Sequence, residues 1–498
     1  KGAVVYCAGG RFLVDVPREE APRLQRLLEE IYVRETGAAT ATVVYEEEPP
    51  VAGGANPGDG WADRLWRAST GVPLDGRFAQ RVALLDGRLR HAKARRASAP
   101  FYEALPFARR CDTCSTRIAS TVVSRSGGAE EPAEEFHLCA VCFKRDETGR
   151  NRRHEARGRI NQEFQRYAGP RTAQPPDLDH LVKSARRAYL ALVYADGNDI
   201  GRLLQRVDSA EQYRAISEAL KDATKNALFA TLREVCRGSL VGENGEEYWP
   251  FEIVNVGGDD VIVLAQAGYA WDVAVGFLDR FTDEVRRAVE ARLGVWPEGW
   301  PARVTAACGV AVADVKYPVR FLRALAEQLL GDAKRRAKEE DPGSREGAVS
   351  YLWLTNPIVT DQSSALLADY DRGTARLTAR PYSLSQAKGI ARLARQALRW
   401  PSTTRHQWAR SLEQGVYVSL NAIFYDVART QEEDRLALHR FLAEVGRLIE
   451  GPGTAGDAAS LWHVDVESGR FRTALLDVLE LAELYAMRPD VQEGEEVP

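Results

Sequence analysis

Asp259 and Asp260 follow Gly257 and Gly258 between two short apolar runs, Phe251 to Val256 and Val261 to Ala265. Runs of that length predict strands and the Gly-Gly-Asp-Asp stretch a tight turn, which brings two carboxylates out at one end of a hairpin. Paired glycines allow backbone conformations and a close phosphate approach that a side chain would block. The same four residues also suit an ordinary Asp-rich β-turn. Asp196 separates the two readings, because it follows Tyr189 to Ala195, a continuous apolar run that predicts another strand. In a βαββαβ sheet the first strand lies beside the hairpin, so the three carboxylates can converge within the roughly 3.5–4 Å span of a two-metal site. Carboxylates that close repel one another unless divalent cations neutralise them. Asp196, Asp259 and Asp260 are therefore the expected catalytic residues and the expected ligands of Mg²⁺ (or Mn²⁺). Mg²⁺ held by carboxylates and substrate phosphates suits nucleoside triphosphate chemistry, here nucleotidyl transfer. Lys334 falls on a predicted helix after Tyr317-Pro318 whose apolar side carries Phe321, Leu325 and Leu329. It either reaches a triphosphate from the far side or is a solvated helix lysine.

A second set of residues has metal-ligand spacing. Cys111-Asp-Thr-Cys114 and Cys139-Ala-Val-Cys142 are separated by 24 residues, as in a four-thiolate zinc ribbon or knuckle. Two reducible disulfides are the competing reading. A closed four-thiolate site has no open position for substrate, so Zn²⁺ there is structural. Cys7, Cys236 and Cys308 stand alone in apolar surroundings and read as buried thiols of a reducing compartment.

The elements that must position these residues repeat. Gly2 to Cys7 and Phe12 to Val16 flank Gly9-Gly10, a helix follows through Leu24, Leu27, Leu28 and Ile31, and Thr40 to Tyr45 returns to β-branched residues. This order recurs 248 residues later, with Gly9-Gly10-Arg11-Phe12 superposing on Gly257-Gly258-Asp259-Asp260. The second copy is complete. It has the strand before Asp196, a helix through Ile216, Leu220, Leu228 and Leu232, the hairpin, a helix bearing Phe277, Phe281, Val285 and Val289, and a strand from Val304 to Ala313. The first copy begins at Lys1 as if in the middle of a domain, lacking a first strand and helix, and has Arg11 and Phe12 where the acids would be. It is expected to be catalytically empty, with Gly9 and Gly10 still able to offer backbone contacts to a nucleotide.

The expected fold is thus α+β. Residues 1–105 hold a degenerate ferredoxin-like palm and a Gly/Pro-rich linker near Pro49 to Gly60, 106–185 a zinc segment and basic linker, 186–384 the catalytic palm, and 385–498 an all-α domain. The last follows apolar positions through Leu393, Leu412, Leu420, Leu436, Leu442 and Leu475 to Leu484, before an acidic tail from Asp490 to Pro498. Lys144 to Arg159, with seven Lys/Arg against three acids, is either a solvated helix surface or an RNA or partner contact. The 498 residues carry 67 Lys and Arg against 71 Asp and Glu, a net −4 that excludes a wholly basic nucleic-acid coat. No apolar run approaches the roughly 20 residues of a membrane span. The expectation is a cytoplasmic protein that makes no membrane contact.

Gly257-Gly258-Asp259-Asp260 on a hairpin, the Asp-x-x-x-Ile-Gly loop from Asp196 to Gly201, Lys316-Tyr317-Pro318 before a long helix, and a degenerate upstream palm together resemble the palm-domain large subunit of type III CRISPR effector complexes. A zinc segment between two palms and a helical C-terminal domain fit it too. The resemblance implies a subunit of an RNA-guided antiviral complex whose second palm turns ATP into cyclic oligoadenylate second messengers once target RNA pairs with guide RNA. It implies nucleotide contacts from Gly197, Asn198, Asp199, Gly257, Gly258 and Lys334, with Gly9 and Gly10 on the first palm, and partners in the other subunits, the guide RNA and the target RNA. Asn198 stands where the family often has a second acid. Many members carry an HD nuclease, and with no His-Asp dipeptide among the seven histidines this chain is expected to lack one. The alternatives are a stand-alone GGDEF-like cyclase making a cyclic dinucleotide, which would pair two identical domains from two chains, and an inactive structural scaffold.

Overall fold

The computed structural model describes residues 3–8, 11–45, 78–95, 107–125, 134–155, 159–169, 173–175, 177–182, 187–236, 240–241, 247–339, 345–356, 359–450, 461–464 and 469–489. The chain divides into two compact units, Lys1–Gln162 with Gly201–Arg214, and Glu163–Ile200 with Ala215–Pro498. Gly9, Gly10, the Pro49 to Gly60 stretch and the acidic tail from Asp490 lie outside the described residues.

In the first unit β1 (Ala3–Ala8) and β2 (Arg11–Asp15) form an antiparallel hairpin in which Ala8 faces Arg11. Helix α1 (Ala21–Thr36) ends at Gly37, whose φ of 69° is the left-handed conformation that terminates helices. The strand expected from Thr40 to Tyr45 does not form. Side chains of α1 take its backbone groups instead: Val43 N–H donates to Glu29 Oε1 at 3.0 Å and Gln25 Nε2 donates to the Val43 carbonyl at 2.5 Å. Helix α2 (Phe78–Arg95) follows, and its Asp86 accepts from Arg11 at 3.1 Å. Strands β3 (Thr121–Arg125) and β4 (Glu134–Leu138) pair antiparallel ahead of α3 (Ala140–Glu155), which carries Lys144 and most of the basic segment. Cys7 is exposed, contrary to the expectation of a buried thiol; Val5 two residues before it is buried, but the register of β1 shifts between Val4 and Tyr6, so the two are not held on one face. Cys236 and Cys308 are buried.

Helix α4 (Arg159–Ala168) leads into the second unit, followed by α5 (Leu178–Val182) and β5 (Tyr189–Gly197). Next in the chain are α6 (Ile200–Leu204) and α7 (Ala210–Val235), of which Gly201–Arg214 belongs to the first unit, then the short β6 (Leu240–Val241) and β7 (Glu247–Tyr248), β8 (Phe251–Gly257), β9 (Asp260–Gln266) and α8 (Ala267–Leu293). Strand β10 (Ala306–Asp314), α9 (Val319–Glu339) and β11 (Ala348–Trp353) continue the chain, with α10 (Ser363–Leu367), β12 (Asp371–Arg372), β13 (Ala375–Arg376) and β14 (Tyr382–Ser383) after them. The main sheet has the order β14-β11-β10-β5-β9-β8. Its β10-β5-β9-β8 part is antiparallel throughout, which is the strand order of a βαββαβ unit, and β11 is added parallel to β10 through α9.

The periodicities decide which faces are covered. Ile216, Leu220, Leu228 and Leu232 of α7 and Phe277, Phe281, Val285 and Val289 of α8 are all buried. Leu322, Leu325 and Leu329 of α9 pack on Leu190, Leu192, Ala311 and Ala313 of the sheet, with Phe321 half-buried beside them. Gly309 on β10 sets how closely α9 approaches. A Cβ there would stand 2.1 Å from the Ala326 carbonyl oxygen and 2.4 Å from the Leu330 nitrogen.

The C-terminal region is helical in α11 (Leu384–Ala397), α12 (Ser402–Glu413), α13 (Val416–Arg429), α14 (Glu432–Glu450) and α15 (Leu475–Tyr485). It is not all-α. Strands β15 (His463–Val464) and β16 (Phe471–Arg472) join β12 and β13 in a second sheet of order β12-β13-β16-β15, because the Phe471 and Thr473 N–H groups find their acceptors on Thr374 and Arg376. Leu436, expected in the core, is exposed on α14 while Leu438, Phe441 and Val445 are buried. Among the described residues no helix is long and apolar enough to cross a membrane.

The close approach of α9 to β10 yields a prediction. Gly309→Ala is expected to lower stability by roughly 1–3 kcal/mol or more, since backbone rather than a flexible side chain must move. Thermal denaturation measures it, and an unchanged Tm would contradict the packing described.

Candidate functional site

The Gly257–Asp260 pair closes the β8–β9 ladder and leaves Gly258 and Asp259 as a two-residue turn. Gly258 has φ 70°, the conformation that type II′ hairpins demand at their first central position and that glycine alone adopts freely. Strand β5 pairs with β9 from Leu190–Gln266 to Ala195–Val261, and the next step of that register sets Asp196 across from Asp260. Side chains directly opposite on antiparallel strands have Cβ atoms about 4.5–5.5 Å apart. Asp259 leans over the end of β5. A Cβ on Gly197 would lie 2.9 Å from Asp259 Oδ2 and 2.5 Å from Ile200 Cγ1, so the absence of a side chain at 197 leaves the carboxylate its place.

Crowding of like charges shows in the titration of the cluster. Burial, then Asp196 and Asp260, push the Asp259 carboxyl up to about 7 against the opposing pull of Lys334. Burial and Asp196 raise Asp260 as well. Asp260 Oδ1 is buried and has no hydrogen-bond partner among the described residues. The phenol of Tyr194, two residues before Asp196, is also raised, by burial and then by the Asp260 charge. Lys334, on α9, forms an ion pair with Asp196. Asp260 Oδ1, an orphaned carboxylate oxygen beside two further acids, belongs to a donor set suited to a hard divalent cation.

In the loop after Asp196, both Asn198 and Asp199 bond within the chain. Asn198 is 5% exposed; its N–H donates to the Thr305 carbonyl at 2.8 Å and its Nδ2 to Thr305 Oγ1 at 3.0 Å. Its amide therefore braces β5 against the chain entering β10, and its buried Oδ1 is left without a partner. Asp199 has φ 56° and pairs with Arg345 at 3.0 Å and Lys338 at 3.7 Å. Thr305, Lys338 and Arg345 were missed in the sequence. Lys338 carried a signal, since it lies four residues from Lys334 on one helix; Arg345 carried none. Asp196, Gly197, Gly258, Asp259, Asp260 and Lys334 are thus together, Gly257 adjoins them as the last residue of β8, and Gly9 and Gly10 are not described.

The four cysteines converge in the first unit. Their Sγ atoms all lie within 4.8 Å of one another, and Cys114 Sγ is 3.9 Å from Cys139 Sγ. A tetrahedral ion with Zn–S bonds of about 2.3 Å requires sulfurs about 3.8 Å apart, so the thiolates fit zinc. Cys111 and Cys114 sit in the turn before β3, Cys139 and Cys142 at the start of α3, and Leu138, Val123 and Phe136 pack around them. Burial raises the Cys114 thiol, but hydrogen bonds from the Thr116 side chain and backbone and from Arg117 outweigh it and bring it down to about 6. Cys142 is pushed up by burial and by its three thiol neighbours. None of the seven cysteines forms a disulfide.

Residues 189–341 match the family model described as Cas10/Cmr2, second palm domain. Among solved structures, a Csm1–Csm4 cassette in complex with one ATP aligns at 19% identity over 33% of this chain and 23% of its own, with a TM-score of 0.23. A Csm1–Csm4 cassette in complex with pppApApA aligns at 12% identity over 97% of this chain and 62% of its own, TM-score 0.41. Csm1 in T. onnurineus aligns at 17% over 62% and 40%, TM-score 0.33. The chain spans less than two thirds of the length of each. No curated protein matches it.

Two predictions follow from these sites. Metal analysis of the purified chain is expected to find about one zinc per chain, and Cys114→Ser or Cys139→Ser to release it and lower Tm steeply, because binding at a structural site is folding free energy, about 10–16 kcal/mol in zinc-finger peptides. A fully folded chain without zinc would remove the assignment. The second concerns pH. With Asp259 at about 7 in the fold against 3.8 as its ordinary value, the native state holds a proton that the unfolded chain has lost. Stability is then lost as pH rises through that window. Without divalent cations, Tm of the parent chain should fall more between about pH 5 and 7.5 than that of Asp259→Asn; parallel profiles would refute the crowding.

Proposed function

We propose that this Cas10-like chain, whose residues 189–341 match a Cas10/Cmr2 second palm domain, is the nucleotidyltransferase subunit of a type III CRISPR complex and joins ATP into cyclic oligoadenylate when the complex binds target RNA. The observation that carries the reading is the convergence of Asp196, Asp259 and Asp260 at one end of the β5 and β9 strands, inside the matched segment. A stand-alone cyclase and an inactive scaffold have no observation of their own in their favour.

The three carboxylates would hold Mg²⁺, which when bound neutralises charge at the α-phosphate and lowers the cost of deprotonating a 3′-hydroxyl. Asp259, held up near 7 by burial and by Asp196, would need only a modest stabilisation of its charged form to serve as a carboxylate ligand at neutral pH. Lys334, paired with Asp196, would be placed to offer its ammonium to a triphosphate bound at the carboxylates. Gly197 and Gly258 keep the approach to the carboxylates free of side chains. Asn198 acts through the backbone: bonded twice to Thr305, it fixes the end of β5 and so the direction of Asp196.

Asp259→Ala with Asp260→Ala, and separately Asp196→Ala, are expected to abolish nucleotide joining while zinc content and complex assembly stay at the parent level, since turn acids contribute little to the core and their removal relieves repulsion. The assay incubates the assembled complex with ATP and Mg²⁺, with and without complementary RNA, and resolves the products by chromatography. Conversion at the parent rate by the double variant would end the assignment.

A further inference from the structure

The second unit holds another charged site, apart from the carboxylate cluster. A cavity of about 440 Å³ is lined by Asp332, Arg335, Arg336 and Glu339 of α9, Arg376 of β13, Arg472 of β16, and the Arg380-Pro381 segment. Its cations are not all spent. Arg380 is 4% exposed and committed to Asp477 at 2.8 Å, to Glu480 and to the Tyr351 carbonyl. Arg335 pairs with Asp332, and Arg336 stands 4.0 Å from Glu339. Arg376 and Arg472 have no ion pair within salt-bridge distance among the described residues, although the Asp332 charge is felt at Arg376.

The placement of these two arginines is unfavourable as it stands. They are direct register partners on the parallel strands β13 and β16, so both side chains leave the same face of the small sheet, into the same cavity. Like charges directly across a ladder destabilise it. Here four arginines other than Arg380 face two acids, and neither Arg376 nor Arg472 lies within salt-bridge distance of an acid among the described residues. Arginine forks match the geometry of phosphoryl oxygens, and an anion bridging two of them turns the repulsion into attraction. The volume lies within the range of small-molecule sites rather than that of an extended groove.

We propose that this cavity binds the phosphoryl chain of a small phosphorylated ligand, held by Arg376 and Arg472 with Arg335 and Arg336 at its rim. Two sources share that chemistry, a nucleoside polyphosphate and a free inorganic polyphosphate. None of the lining residues belongs to the carboxylate cluster, so the two readings stand or fall separately. The acids Asp332 and Glu339 favour an anion concentrated at one end, because a ligand charged along its whole length would meet them.

The test titrates the full chain, without divalent cations, with inorganic tripolyphosphate, ATP and AMP, using calorimetry and thermal shift. Arg376→Gln with Arg472→Gln is compared with the parent and with Arg286→Gln plus Arg287→Gln, which removes the same charge from exposed positions on α8. Tripolyphosphate is expected to bind the parent and the α8 control alike and to raise their Tm, and to bind the Arg376/Arg472 variant at least tenfold more weakly. ATP binding more tightly than tripolyphosphate identifies a nucleoside as part of the ligand; equal binding identifies the phosphoryl chain alone. In the absence of ligand the variant should melt no lower than the parent, because a repulsive pair has gone. Equal affinity in variant and parent, or equal loss in the α8 control, would overturn the proposal. So would a short single-stranded RNA that needs the same two arginines while tripolyphosphate does not bind.

Discussion

Everything around the β8–β9 turn answers to one constraint: three carboxylates are held where a sheet register, rather than their own charge, puts them. Strand β5 must pair with β9 to complete the sheet, and that register sets Asp196 across from Asp260 with Asp259 above them. Like charges so placed raise one another's proton affinity, and burial adds to it. Lys334 on α9 forms an ion pair with Asp196. Without further positive charge the cluster keeps a proton near neutrality. The scaffold, through the sheet register, meets the cost of bringing the acids together.

What keeps the acids there is backbone proximity more than polar bonding. Gly309 lets α9 lie close on β10, which brings Lys334 to Asp196; Gly197 admits the Asp259 carboxylate; Gly258 makes the turn. Behind them the sheet is anchored to the C-terminal helix. Asp477, fully buried on α15, accepts from Arg380, Thr378 and the Ala379 N–H, and Glu480 one turn on accepts from Tyr351 and Tyr370. Removing any one partner would leave a buried charge unpaired, so the network resists shifts of β11 and α15 relative to each other. In the first unit Leu138, Val141 and the partly buried Val123 and Phe136 pack about the four converging cysteines.

Much of this was legible in the residues. Spacing alone located the cysteines, since a pair of Cys-x-x-Cys turns has few uses. Alternation and apolar runs gave β5, β8 and β9 to within two residues, and period 3.6 gave the buried stripes of α7, α8 and α9. The strand read at Thr40 to Tyr45 failed because β-branched residues describe a preference, and a strand exists only where a neighbour supplies the ladder; Glu29 and Gln25 took the backbone groups of Val43 first. The two-residue strands β15 and β16 were invisible for the same reason, being too short for a pattern and defined only by what lies beside them.

The sequence by itself therefore determined the chemistry available: which acids, which thiols, which turn glycines, and the order of elements that carries them, because these depend on residue type and local period. Tertiary structure decided what each group meets. It turned Asn198 inward onto Thr305, gave Asp199 the cations Arg345 and Lys338, placed Lys334 on Asp196, and set Arg376 beside Arg472 across a parallel ladder. Those pairs join residues 96 to 146 positions apart, and no local period reports such distances. Charge and hydrogen bonding act through space, and only the folded register says which charges share it.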